Sequence, residues 1–246
     1  MQTTITHLTQ TASTSDYLRS VPTPPPGTMV VAQADFQTAG RGQGSNTWES
    51  EPGKNLLFSI LLAAPTVPPT KQFVLSMAGA LALKAALDNY TDGIMLKWPN
   101  DIYWHDKKIS GTLIETSVRG KTIERCIYGI GLNVNQQTFH SDAPNPVSLL
   151  NITGRETPLQ DLFGLILRHF ESYCRRVEEG SFDSVVNEYN AVLYRRNEMH
   201  EYQDTSTAEL FNASVKHVGT DGLLHLVDDK GEERVYSLKE IKFIQS

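Results

Sequence analysis

The run Asn55-Leu-Leu-Phe-Ser-Ile-Leu-Leu-Ala63 constrains the fold more than any other stretch of the chain. It is a near-continuous apolar segment, closed by Pro65 to Pro69, and too short to span a bilayer. Such a run is a central strand that must be covered on both faces. The stretch Met29-Val-Val-Ala-Gln33, which follows the proline loop Pro22-Thr-Pro-Pro-Pro-Gly27, reads as a second one. Between the apolar run and the next strand, Phe73, Val74, Met77, Ala80, Leu81 and Leu87 fall at helical spacing. They predict a helix over 72–89 that buries one face on the sheet, with Thr70 as its cap. A short helix is expected earlier, around Ser15 to Ser20.

Further along, Ile94 to Trp98 reads as a strand stopped by Pro99, and residues 101–118 as a hairpin turning at His105-Asp106-Lys107. Thr122 to Val134 is another strand, and its Gly129 and Gly131 mark a place where backbone or ligand approaches closely. Thr157-Pro158-Leu-Gln160 reads as a capping box with proline at the first helical position. It opens a helix carrying Leu162, Phe163, Ile166, Leu167, Phe170, Tyr173, Cys174 and Val177, which ends at Gly180. A second helix is expected from Phe182 to about Arg196. Beyond Asn197, short apolar runs at 208–218, 223–227, 233–238 and 241–244 alternate with glycine turns. They predict a small antiparallel barrel or sandwich near the lower size for independent folding. The expected division is therefore 1–196 and 197–246.

With 39% apolar and 20% charged residues the chain has the composition of a soluble globular protein. A formal net charge of −6 argues against general affinity for DNA or anionic lipid, so any basic site must be local. Cys126 and Cys174 show no metal-ligand spacing and are expected to be reduced and buried. The first residues carry neither a basic nor an apolar signal region, and a cytoplasmic protein is expected.

Two segments carry the chemistry. In Gly40-Arg41-Gly42-Gln43-Gly44-Ser45-Asn46-Thr47-Trp48, glycines let backbone amides approach an anion, Arg41 supplies a fixed bidentate charge, and Trp48 offers a flat face for a purine. The loop is neither a Walker loop nor a dinucleotide fingerprint, and alone it is a surface loop. In Lys97-Trp98-Pro99-Asn100-Asp101, proline fixes an amide and a carboxylate directly after a strand. Across the hairpin turn from Asp101 sits Lys108, followed by Ser110-Gly111. Taken alone, Lys107 and Lys108 are two solvated turn lysines; beside the preceding run they suggest an acid held next to a nucleotide phosphate.

These motifs resemble those of the biotin protein ligases. The match comprises Gly40 to Trp48, 97–101, 108–111, the strand end Gly129-Ile-Gly131-Leu-Asn133, and the pair Ser13-Thr14. The resemblance spans roughly residues 10–190 and implies an α+β fold: a class II synthetase-like mixed sheet with helices mainly on one face, followed by a small SH3-like β-barrel. It implies ATP-dependent activation of biotin to biotinyl-adenylate, with Mg²⁺ as the ion, and transfer to a lysine of a biotin carboxyl carrier domain. Ser13, Thr14, Ser15 and Gln37 would then hold biotin, and Gly40, Arg41, Gly42, Gln43 and Lys108 would follow its carboxylate. Gly111, Gly129 and Gly131 would line the pocket where bulk is forbidden. For ATP the implied residues are Arg41, Gln43, Trp48, Asn100, Lys108 and Asn133. Lys108 is the implied main catalytic group, with Arg41, because its charge opposes the charge that builds on the phosphorane. Asp101 is the third, as a ligand for Mg²⁺, an orienter of the acceptor amine, or a turn cap; the metal ligands stay open.

Gln43, Gly44 and Ser45 depart from the commoner loop pattern, which carries more cations, and Lys54 and Lys107 are the candidates to compensate. The loop is expected to order when an anion neutralises it. A lipoate-type ligase is the enzyme alternative, although no Arg-Arg-x-x-Gly-Gly-Gly run is present; a non-catalytic interaction protein is the other. Only 12 residues precede Ser13, so a DNA-binding helix-turn-helix is not expected. No membrane partner is expected either, and a homodimer stays open. The seven histidines form no triad or metal spacing.

Overall fold

A computed structural model describes residues 1–44, 46–141 and 145–244. Ser45, named above among the loop departures, lies outside the described residues. Seven strands form one mixed sheet: β1 (Gln2–Thr11), β2 (Thr28–Gln37), β3 (Leu56–Ala63), β4 (Ile94–Lys97), β5 (Asp101–Trp104), β6 (Lys107–Arg119) and β7 (Thr122–Leu132), in the order β1-β2-β3-β7-β6-β5-β4. Only β1 and β2 run parallel; the other pairs are antiparallel. The apolar run is β3, buried at all its positions between β2 and β7, as a strand covered on both sides must be.

Strand alternation divides the sheet into two faces. Met29, Val31, Phe58, Ile60, Cys126, Tyr128 and Ile130 point to the main core. There α2 (Phe73–Leu87) is apolar nearly all round, because it lies between the sheet and two helices, α4 (Leu159–Glu178) and α5 (Phe182–Ala191). A five-residue helix, α3 (Leu149–Thr153), precedes α4. On the opposite face sits α1 (Thr14–Ser20), packing Leu18 against Ala32, Leu61 and Ile127. Helices are thus mainly on one face, and the rest of the other face is left for the site. Both cysteines are free and buried, and burial pushes the Cys126 thiol up to about 12 and that of Cys174 upward as well.

A second, five-stranded antiparallel sheet follows: β8 (His200–Asp204), β9 (Leu210–Val218), β10 (Leu224–Asp228), β11 (Glu233–Tyr236) and β12 (Ile241–Phe243), ordered β11-β10-β9-β8-β12. It is tied to the first. Trp98 Nε1 donates to the Gly222 carbonyl at 2.9 Å, and Arg195 Nη1 donates to the Ile244 carbonyl at 2.8 Å.

Several local expectations need correction. The Thr157 box does not form: Pro158 itself is the cap position of α4, and the Thr157 amide donates instead to Asn135 Oδ1 at 2.9 Å. The capping box in this region belongs to Ser148 and Asn151, at the start of α3. Thr70 lies in a 3₁₀ turn, Pro69–Lys71, and Gln72 precedes α2 without a side-chain cap. The last helix stops at Ala191, where the chain leaves to bridge Leu193 to Leu96 and reaches positive φ at Arg195. Lys107 joins β6, so the hairpin turns at His105 and Asp106.

Candidate active site

The helix-free part of the sheet face floors a cavity of about 640 Å³, a size suited to a small organic ligand. Its walls are the start of α1, the loop after β2 and the turn between β4 and β5. At one end a polar network is already satisfied. Gln37 Oε1 accepts from the Thr14 amide at 2.7 Å and from Thr14 Oγ1 at 3.0 Å. Ser59 Oγ lies 2.7 Å from Thr14 Oγ1 and 2.9 Å from Ser15 Oγ. Ser59 is fully buried and was missed in the sequence; the signal was one hydroxyl in the otherwise apolar β3.

The glycines make room for neighbours. A Cβ at Gly129 would sit 2.4 Å from Ser15 Oγ, and one at Gly131 would sit 2.3 Å from Trp48 Cε2. At Gly111 it would meet Trp48 Cζ3 at 3.1 Å and Lys108 Cε at 3.2 Å. The spacing Lys108-x-x-Gly111 therefore lets the lysine stem lie across its own strand. Gly40 does not line the cavity; it is buried, and a Cβ there would press on the Trp48 carbonyl at 3.0 Å. The glycine loop closes as a small hairpin: Arg41 bridges Thr47, and the Trp48 amide donates to the Gly40 carbonyl at 3.0 Å.

Beyond the glycines lie the charges. Lys108 Nζ pairs with Asp101 Oδ1 at 2.7 Å, and Arg41 Nη2 with Asp16 Oδ1 at 2.7 Å. The Lys108 ammonium also stands 5.9 Å from the centroid of the Trp48 ring. Asn100 is pinned to β6, its Nδ2 donating to the Thr112 carbonyl at 2.7 Å. Asn133 Nδ2 donates to the Val147 carbonyl at 3.1 Å, while its Oδ1, also buried, has no partner among the described residues. Trp48 Nε1 is likewise buried and unpartnered. Orphaned polar atoms in a cavity wall are where a ligand finds its hydrogen bonds.

Thus Ser13, Thr14, Ser15, Gln37, Arg41, Gly42, Gln43, Trp48, Asn100, Asp101, Lys108, Gly111, Gly129, Gly131 and Asn133 all line one cavity, Gly40 alone standing behind it. The lining residues that sequence reasoning left without a role include the polar Glu49, Lys97 and Tyr103 and the apolar Leu113 and Phe139. Lys97 Nζ donates to Tyr103 Oη at 2.9 Å, and burial lowers its pKa to about 8 although Asp101 pulls the other way. Lys54 and Lys107 do not line the cavity.

A family model described as the biotin/lipoate A/B protein ligase family matches residues 5–133, just over half of the chain. The bifunctional ligase/repressor of Bacillus spizizenii is 37% identical over 160 residues, 61% of this chain and 47% of that protein. The chain spans about half the length of such curated relatives. Among solved structures, the biotin protein ligase from Aquifex aeolicus in complex with biotin and ATP superimposes with a TM-score of 0.79 at 25% identity, covering 98% of this chain and 99% of that one. The ligase from Leishmania major in complex with biotinyl-5-AMP gives 0.60 at 25% identity, over 95% and 98%.

Proposed function

The chain belongs to the biotin/lipoate A/B protein ligase family, and on that premise we propose that it activates biotin with ATP and transfers it to a lysine of a biotin carboxyl carrier domain. The observation that supports this reading most directly is that one cavity is lined both by the neutral hydrogen-bonding groups of Thr14, Ser15 and Gln37 and by the cations Arg41 and Lys108. Thr14, Ser15 and Gln37 receive the ureido ring and tail of biotin, and Gly129 and Gly131 give Ser15 and Trp48 the room to stand beside it. The carboxylate then lies toward Lys108 and Arg41. One carboxylate oxygen attacks the α-phosphorus of ATP, the bond from that phosphorus to the bridging oxygen breaks, and pyrophosphate leaves with the electron pair. The Lys108 ammonium faces the negative charge that builds on the phosphoryl oxygens, where a fixed cation is worth most. In the second step the carrier amine attacks the acyl carbon, AMP departs with the bonding pair, and the amine gives up a proton. Asp101, held by Lys108, is the carboxylate nearest that exchange and orients the amine. Trp48 presents its ring face and Asn133 its free Oδ1 to the adenosine.

Mg²⁺ fits this donor set as an ion carried on the phosphates. No group of three or more His, Cys, Asp or Glu suited to a metal occurs among the described residues, and Asp101 would be its protein ligand. Held there it would supply positive charge to the phosphates. We read residues 1–196 as the catalytic domain, similar to class II synthetases, and 197–246 as an SH3-like barrel that helps complete the site. We also read the enzyme as cytoplasmic, which agrees with its two free, buried thiols; no helix among the described residues is long and apolar enough to cross a membrane.

The test is incubation with biotin, Mg-ATP and a carboxyl carrier domain, followed by mass spectrometry. A mass increase of one biotinyl group on a single carrier lysine is expected. Transfer of lipoate in place of biotin would establish the lipoate-type alternative. Absence of ATP–pyrophosphate exchange with either acid would establish a non-catalytic protein.

A further inference from the structure

Three cations line the cavity: Arg41, Lys97 and Lys108. Two have carboxylate partners, Asp16 and Asp101. Among the described residues, no carboxylate oxygen lies within 4.0 Å of Lys97 Nζ. Instead the half-buried ammonium gives one hydrogen bond to Tyr103 Oη, and stands 4.5 Å from the Tyr103 ring centroid and 5.2 Å from that of Phe243. Phe243 comes from β12, so the second sheet stands beside this lysine. An ammonium has three donors, and burying one without a counter-ion costs free energy. A site that tolerates this cost is prepared for an anion that arrives from solution.

Position selects the anion. The sheet runs β7, β6, β5, β4, with strands about 5 Å apart. Gly129, next to the biotin end, is on β7; Lys108 is on β6; Asp101 is on β5 and pairs across with Lys97 on β4. The cation without a carboxylate is therefore the one farthest from the acid's pocket. In a phosphoryl displacement the leaving group departs opposite the attacking oxygen, which directs it along the sheet toward β4. We propose that Lys97 binds the β- and γ-phosphates of the nucleotide and so receives the pyrophosphate that leaves. This assignment rests on the adenylation reading above and gives that reaction a residue for its leaving group.

Calorimetric titration of the full chain, in the presence of biotin, with magnesium pyrophosphate, ATP and AMP separately tests it. Lys97→Met should weaken pyrophosphate and ATP binding at least tenfold and leave AMP within about twofold, while Lys97→Arg retains most of the pyrophosphate affinity. The KM for pyrophosphate in exchange should rise in parallel, with biotin affinity unchanged. Equal losses for AMP and pyrophosphate, or pyrophosphate binding indifferent to Lys97→Met in a protein that still adenylates biotin, would overturn this assignment alone. A wild-type chain that binds neither ATP nor pyrophosphate would overturn the adenylation reading and this one with it.

Discussion

Lys108 is held in place by three features that the linear motif only hints at. Asp101 fixes its head, Gly111 clears the space under its stem, and Trp48 borders its other side. Replacing it with alanine removes the charge and leaves Asp101 facing the cavity without its ion-pair partner. Lys108→Ala is expected to slow adenylate formation by about 10²–10³, or roughly 3–4 kcal/mol of barrier, with little change in the melting temperature. Pyrophosphate release at a near wild-type rate from the folded variant would remove Lys108 from this role. The types of chemistry at the site were legible in the sequence because lysine, aspartate and asparagine in Lys97 to Lys108 lie close along the chain. Ser59 was not, since its partners Thr14 and Ser15 are far from it in sequence. Lys97 was visible but had no role, because its lack of a counter-ion is a fact about neighbours in space.

Strand β7 carries the site's steric logic. Alternation sends Cys126, Tyr128 and Ile130 into the core and leaves Gly129 and Gly131 on the cavity face. A methyl at Gly131 would stand 2.3 Å from the Trp48 ring, so Gly131→Ala must push the indole outward. Stability should fall by about 1–3 kcal/mol, as in other overpacked sites, and adenylation by roughly 10²-fold if the ring positions the nucleotide. Urea unfolding and single-turnover rates check the two effects separately; an unchanged rate would mean that Trp48 does not contact the adenosine. The long apolar elements were readable at this scale, because burial on both sides leaves an unmistakable run. Strand β1 was not: its sequence is rich in threonine and most of it is exposed, as befits an edge strand with one neighbour. Strand β8 and helix α3 are too short for periodicity to reveal. The misassigned Thr157 cap shows the same limit, since its amide found a partner in Asn135.

For the molecule as a whole, what matters is how the second sheet meets the first. Trp98 follows β4, and its indole N–H reaches the Gly222 carbonyl of the turn between β9 and β10. Gly222 itself has φ near +87° and no room for a side chain against Phe73. Lys97, the neighbour of Trp98, is capped by Phe243. The contact between sheets therefore lies next to Lys97, which lines the cavity. Trp98→Phe keeps the apolar ring but deletes the donor and is expected to cost about 1 kcal/mol, measured as a lower urea midpoint. If the second sheet is needed for the nucleotide site, the same variant also raises the KM for ATP; an unaltered KM would make that sheet a passive support.

By itself the sequence determined the central strands, the helices that cover them and the residue types of the site. Those follow from apolar periodicity and from motifs in which reacting groups are close along the chain. Only the tertiary structure decided strand order, the bare face of the sheet, and which cation lacks a carboxylate. These depend on contacts between segments far apart in sequence, whose pairing is set by the packing of the whole core.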